Sequence, residues 1–179
     1  RHRRVGADAM TRLDPDAIRS ICEQACGFLD VPGGISRSAD AVQQLVFTVG
    51  AEVGGRDIRR QIGGPALSWW QIEPATAIDC DSSWLRYRTP VRDAIYRHLS
   101  HGMSLVDGVY DDPLIAAMVA RVVYRRSPLN LVWPDDIRGQ SRIWKQAYNT
   151  PLGKGTEREA VERYMAWVGP DYHPLDGGE

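Results

Sequence analysis

Long apolar runs, paired cysteines and a surplus of charge are all missing from this sequence, and each absence excludes a class of protein. No apolar segment approaches the roughly 20 residues that a membrane-spanning helix needs, and no segment has the layout of a secretory signal peptide. The 22 basic and 23 acidic side chains leave a formal net charge of −1, which gives no attraction to nucleic acid or to an anionic membrane. We therefore expect a soluble protein, made in the cytoplasm, without membrane insertion or specific nucleic-acid binding.

Cysteine and histidine are too sparse for a disulfide framework or a metal centre. Cys22 and Cys26 lie one turn apart on a predicted helix, and Cys80 stands alone, so no framework of pairs arises. No histidine lies near the two helical thiols, and His98 and His101 lack a third ligand at metal spacing. The sequence therefore predicts buried free thiols, surface or capping histidines, and neither a metal nor a cofactor.

Alternating strand patterns are also missing, whereas helix starts are frequent. Only residues 62–72 could form a short hairpin. Capping residues, several of them next to a proline, precede apolar residues at helical spacing along the chain. The predicted starts are Asp14-Pro15, Ser38, Pro74, Thr89-Pro90, Asp112-Pro113, Asp135 or Asp136, and Thr156. We expect one mainly α domain over residues 1–179, with a basic tail at 1–12, an irregular tail at 170–179 and the helix from Pro113 at its centre.

Glu52 is the first candidate for chemistry. It follows Leu45 and Val49 at helical spacing, near the C-terminal end of the helix that starts at Ser38. Partial desolvation and the negative helix end both raise the pKa of a carboxyl there, as a general acid requires. Position alone equally fits an exposed glutamate ahead of a flexible Gly54-Gly55 pair, and that alternative stays open at this point.

The segment from Gly63 to Thr76 adds the residue types of a sugar site. Two glycines and a proline allow the backbone to pass close to a ligand. Trp69 and Trp70 offer flat apolar faces of the kind on which sugar rings stack, although adjacent tryptophans are often structural. Gln71 has both a donor and an acceptor for an acetamido or hydroxyl group.

Taken in order, these residues resemble the lysozyme-like lytic transglycosylases, which are related in fold to goose-type lysozyme. That family has a catalytic Glu, a Gly-Ala-x-Gly-Leu-Met-Gln-Ile-x-Pro-x-Thr segment and an Ala-Tyr-Asn-Ala-Gly segment. Glu52 matches the acid, residues 65–76 match the second segment, and residues 147–150 match the third. The resemblance covers about residues 42–149 and implies a lysozyme-like helical fold.

The chain is more similar still to the variant carried in the virions of tailed bacteriophages. That variant has a Gly-Pro-Ala-Leu start to its second segment and a late Tyr-Asn-Thr-x-x-Gly-Lys-Gly-Thr segment, which residues 64–67 and 148–156 match. Three positions depart from the family. Val53 replaces a serine that helps to orient substrate, Ser68 replaces a glycine, and Thr150 replaces a small alanine.

The resemblance implies cleavage of the β-1,4 bond between N-acetylmuramic acid and N-acetylglucosamine in peptidoglycan. Glu52 would protonate the bridging oxygen and then act as a base, while the sugar's own groups replace the usual second carboxylate and give a 1,6-anhydro product. Tyr148 would orient or hydrogen-bond Glu52, Gln71 would hold the acetamido group, and Glu73 is a rival acid interpreted as a binding residue. The expected substrate-binding set is Ser68, Trp69, Trp70, Gln71, Glu73, Tyr148 and Asn149.

The resemblance also implies a setting. The protein would be virion-associated, at a phage tail or inside the virion, with peptidoglycan and other virion proteins as partners, and it would act in the bacterial cell wall during genome delivery. Two alternatives stay open. One is a structural virion component that keeps the fold and has lost turnover, and the other is a helical adaptor whose tryptophan pair forms a protein interface.

Overall fold

The computed structural model describes residues 11–149 and 153–173, and this part of the chain is mainly helical, with no β-strand beyond isolated bridges. The mainly α prediction is therefore confirmed. The helices are α1 Pro15–Leu29, α2 Ala39–Val53, α3 Pro74–Asp79, α4 Thr89–Tyr96, α5 Leu105–Asp111, α6 Pro113–Arg126, α7 Ile137–Ile143 and α8 Glu157–Val168. Two π-helical turns, Cys80–Trp84 and Trp144–Asn149, and a 3-10 turn, Leu85–Tyr87, complete the helical segments.

Side-chain caps explain where most of these helices begin. Asp14, Ser38 and Asp112 each accept a hydrogen bond from a backbone N–H in the first turn of the following helix, as the sequence predicts. α5 was not expected, although Ser104 and Asp107 form a reciprocal capping box at its start. A seven-residue helix is too short to show the repeated apolar spacing on which helix prediction depends.

α2 is the central helix of the described structure. Almost every one of its residues is buried, because α1 packs on one side of it and α8 on another, while α6 packs against α1 and α2. The sequence indicated α6 as the centre. α6 is largely buried, but its basic C-terminal turn reaches the surface, where Arg125 is exposed. No helix within residues 11–149 and 153–173 is long and apolar enough to cross a membrane.

The segment expected to hold a hairpin forms a tight turn rather than strands. Leu67 and Ile72 exchange two backbone hydrogen bonds of 2.9 and 2.8 Å, and Arg60 pairs with Leu67 in a second isolated bridge. Between Leu67 and Ile72, the residues Ser68 and Gln71 have φ angles of 64° and 47°, in the left-handed region that non-glycine residues rarely adopt. We name residues 58–73 the turn wall.

The two ends of the described chain meet beside the end of α2. The Arg12 guanidinium donates to the carbonyls of Ala166 and Trp167 on α8, and the Trp167 indole donates to the Leu13 carbonyl at 2.8 Å. Part of the basic tail expected at 1–12 is therefore docked. Residues 170–173 are irregular, and Tyr172 accepts a 2.8 Å hydrogen bond from Arg19 on α1. The remaining parts of both predicted tails lie outside the described residues.

Candidate active site

A cavity of about 830 Å³ opens where the last turn of α2 faces the turn wall. The π-helical turn Trp144–Asn149 closes one side, and residues 153–155 and the start of α8 close another. Sites for small ligands are typically concave spaces of this size with a few convergent polar groups. The sequence-predicted residues that line the cavity are Glu52, Gln71, Glu73, Tyr148 and Asn149.

Glu52 is a partly exposed carboxyl on a buried helix, which is the environment of a general acid. Burial raises the pKa of Glu52 from 4.5 to about 7, against the opposing effects of a hydrogen bond from Trp144 and the positive charge of Arg163. The carboxyl therefore carries a proton through the mildly acidic range and releases it near neutrality. This is the direction of pKa shift that the sequence indicated.

The hydrogen-bond partner of Glu52 is Trp144 and not Tyr148. The Trp144 indole nitrogen donates to Glu52 Oε1 at 2.8 Å. Tyr148, expected to orient or hydrogen-bond Glu52, donates instead to the backbone carbonyl of Trp70 at 2.8 Å, so the expected hydrogen bond to Glu52 is not formed. Both aromatic residues lie on the same π-helical turn, which places the indole toward α2 and the phenol toward the turn wall.

A layer of polar aromatic residues lies behind the acid. The ring of Tyr148 stacks on Tyr124 of α6 with ring centroids 5.1 Å apart. The Tyr124 hydroxyl in turn lies 2.7 Å from Thr48 Oγ1 and accepts from Gln44, both on α2. Burial raises the pKa of both phenols, far enough that each stays neutral beside Glu52. This layer fixes the floor of the cavity without adding a second titrating group near neutral pH.

Gln71 and Glu73 project into the cavity from the turn wall, opposite Glu52. The Gln71 amide nitrogen donates to the Ser68 carbonyl at 2.7 Å, and its oxygen accepts no hydrogen bond from the described residues. That oxygen is a free acceptor for a ligand N–H. Glu73 is exposed and precedes α3 without capping it. Asn149 accepts a 2.9 Å hydrogen bond from Lys145, which also donates to the Gly153 carbonyl at 2.7 Å.

Trp69, Trp70 and Ser68 do not line the cavity, so the sugar contacts expected of them are not supported. Trp70 is 0% exposed and donates to the Leu45 carbonyl, and Trp69 is 8% exposed and donates to Asp57 at 2.7 Å. The apolar rings are more stable inside the core, where they support the turn wall from behind. Ser68 is also buried, and its hydroxyl accepts from the Trp70 N–H.

Trp144, Arg56 and Arg163 line the cavity and were not identified from the sequence. No local spacing could indicate these three, because they come from three separate segments. Lys154, which also lines the cavity, belongs to the matched segment 148–156, and Arg163 donates to the Ala51 carbonyl at 3.2 Å. Val53, where the resembling family has serine, is a buried apolar residue beside the acid.

This site is not identified by likeness to any known protein. No protein-family model, curated protein or solved structure matches the chain. Within residues 11–149 and 153–173 no three His, Cys, Asp or Glu side chains come together in a way that could hold a metal ion. Thr150, the third departure from the family pattern, lies outside the described residues together with residues 151 and 152.

Proposed function

We propose that the protein cleaves the β-1,4 bond between N-acetylmuramic acid and N-acetylglucosamine in peptidoglycan, as a lytic transglycosylase or muramidase of the lysozyme-like class. The observation that carries the proposal is the half-buried Glu52, with a pKa of about 7, in a cavity of about 830 Å³. A carboxylic acid that keeps its proton near neutral pH can protonate the oxygen of a leaving sugar.

The reaction proposed uses Glu52 twice. The neutral acid gives its proton to the bridging oxygen as the glycosidic bond breaks, and the resulting carboxylate then accepts a proton from the attacking hydroxyl. If the attacker is the sugar's own 6-hydroxyl the product is a 1,6-anhydro ring, and if it is water the product has a reducing end. The free oxygen of Gln71 is placed to accept the acetamido N–H of a bound sugar.

The setting we propose is a tailed-phage virion, in which the enzyme opens the cell wall locally during genome delivery. The support for this is the likeness of segment 148–156 to a segment of virion-associated transglycosylases. From this segment, Asn149, Gly153, Lys154 and Gly155 line the cavity. Peptidoglycan glycan strands and other virion proteins are the proposed partners.

A second candidate is a virion component that binds glycan without turnover. Two observations favour it. Val53 offers no hydroxyl beside the acid, and Ser68 occupies a backbone position with φ 64° that favours the glycine of the resembling family. Both candidates predict glycan binding, but only the enzyme predicts product.

A zymogram on purified peptidoglycan with wild type and Glu52→Gln tests the proposal. We expect clearing by wild type and a loss of at least about a hundredfold for the variant, because the amide cannot donate the acid's proton. Mass analysis of the released fragments separates anhydro ends from reducing ends. Binding without clearing by wild type would support the structural candidate instead.

A further inference from the structure

We propose that Trp144 is the positioning residue of this site: its indole N–H holds one oxygen of Glu52, so that the other oxygen carries the proton toward the substrate. The proposal rests on the proposed function, since it assigns a role within the same site. Its geometric basis is the 2.8 Å hydrogen bond from Trp144 Nε1 to Glu52 Oε1, which joins two elements far apart in the sequence.

The assignment of the two oxygens follows from the chemistry of indole. An indole N–H can only donate, so the oxygen that it faces must act as an acceptor in both protonation states of the acid. Because the carbonyl oxygen of a neutral carboxyl is a better acceptor than its hydroxyl oxygen, this contact favours the proton of neutral Glu52 on Oε2. That oxygen accepts no hydrogen bond from the described residues, which leaves it for the bridging oxygen of a substrate.

Trp144 is held firmly enough to fix the orientation of the Glu52 carboxyl. It is 2% exposed, and its backbone N–H donates to the carbonyls of Gln140 and Ser141 at the end of α7. Gly155 closes the other side of the ring, since a Cβ at that position would lie 2.7 Å from Trp144 Cη2. The indole therefore cannot swing away from Glu52 in that direction.

Other charged and titratable groups face Glu52 without taking this role. Arg163 on α8 contributes positive charge, while the phenols of Tyr124 and Tyr148 lie behind the acid. Further charged side chains line the same cavity, namely Arg56, Glu73, Lys154 and Glu159. Among the described residues, Trp144 alone makes a hydrogen bond to the carboxyl, so removing its N–H takes away the one protein donor that holds Glu52.

The test compares Trp144→Phe with Trp167→Phe. The control loses an indole hydrogen bond of the same 2.8 Å length, from a ring that is 3% exposed, but to the Leu13 carbonyl and not to Glu52. Two quantities are measured in each protein: the titration of the Glu52 carboxyl carbon by NMR, and the pH profile of peptidoglycan turnover.

For Trp144→Phe we expect the Glu52 titration midpoint to rise by about one pH unit, because a donor that favours the carboxylate is lost. The alkaline limb of the turnover profile should move up with it, and kcat should fall about tenfold with little change in KM, because binding contacts remain while the acid is no longer aligned. Trp167→Phe should change neither midpoint nor limb, even if its Tm falls.

Gly155→Ala provides a second variant should Trp144→Phe fail to fold. The added methyl group must push the indole from its place, so the Glu52 midpoint should again rise. An unchanged midpoint in the folded Trp144→Phe protein, or in Gly155→Ala if the former does not fold, would overturn the positioning role. The NMR titration needs no turnover, so a wild type that fails to cleave peptidoglycan sinks the proposed function while this measurement still decides the role of Trp144.

Discussion

The carboxyl of Glu52 links the chemistry of the cavity to the stability of the fold. Its pKa of about 7 in the native protein exceeds the ordinary 4.5, so the native state binds this proton more tightly than the unfolded chain does. The contribution of Glu52 to the free energy of unfolding is therefore largest below about pH 4.5, and it is lost as the pH rises through about 7. Above that pH the native protein contains an ionised carboxyl in a partly desolvated place.

Glu52→Gln should remove this pH dependence. The free energy of unfolding of the variant, minus that of wild type, should grow by about 3 kcal/mol between pH 4 and pH 8, because only wild type must ionise a half-buried acid. Urea titrations at several pH values measure it. Glu73→Gln on the exposed side of the cavity is the control and should follow the wild-type curve. If the free energies of unfolding of Glu52→Gln and wild type changed with pH in parallel, burial would not raise the pKa of Glu52 as argued.

At the scale of elements, α2 and α8 pack closely beside the cavity. A Cβ on Gly50 would lie 2.8 Å from Tyr164 Cδ2 and 2.9 Å from its Cα, so α8 approaches α2 more closely than any larger residue allows. Arg163 and Tyr164 are adjacent on α8, and Glu52 follows Gly50 by half a turn. Gly50 thus permits the close approach of the helix that also carries Arg163, whose positive charge lowers the pKa of Glu52.

Gly50→Ala should destabilise the protein by about 1–3 kcal/mol, because the methyl group meets both the backbone and the buried ring of Tyr164, neither of which can move aside easily. Gly27→Ala is the matched control on α1, where the added Cβ has nothing within 4 Å. The control should stabilise by up to about 1 kcal/mol, as alanine does in an exposed helix interior. Thermal unfolding of both variants gives the comparison, and equal effects would mean that the helices do not touch at Gly50.

Most helix starts could be predicted because the information is local. A capping side chain followed by proline, as at Asp14 and Asp112, specifies its helix within a few residues. α5 was missed although its capping box at Ser104 was present, since the helix ends before a second turn of apolar spacing can appear. The turn wall was harder, because the φ angles of Ser68 and Gln71 depend on tertiary contacts and not on residue type.

At the scale of the whole molecule, the three thiols report how the fold opens. Cys22 and Cys26 on α1 and Cys80 in the first π-helical turn are all buried. Burial raises the pKa of each, to about 11 for Cys26, so little thiolate exists in the native state at neutral pH.

A thiol-specific reagent should therefore react with the native protein more than about a thousandfold more slowly than with the unfolded chain, at a rate that follows opening of the structure. All three thiols should react at once in denaturant. Absorbance of the released reagent group measures both rates. One fast thiol in the native protein would show that its surroundings open independently of the rest.

The place of Glu52 at the cavity could be predicted from the sequence, but the groups around its carboxyl could not. Glu52 and Gln71 lie within recognisable local sequence patterns, and both line the cavity. Trp144 and Arg163 reach the acid only because α7 and α8 pack beside α2, and such packing leaves no pattern in either segment. Tyr148 lies one turn from Trp144, so its neighbourhood was predictable while its hydrogen-bond partner was not.

The two faces of the cavity differ in how freely their residues can be replaced. Glu52 belongs to a helix whose neighbours are nearly all buried, so changes around it disturb the core. The opposite face includes Gln61 and Ile62, which are exposed and can be replaced with little effect on the core. Under the proposed function, a change of glycan or cross-link specificity can therefore arise in the exposed residues of the turn wall while Glu52 stays in place. The buried side of the cavity would then keep the proposed chemistry, and the exposed side would set what that chemistry acts on.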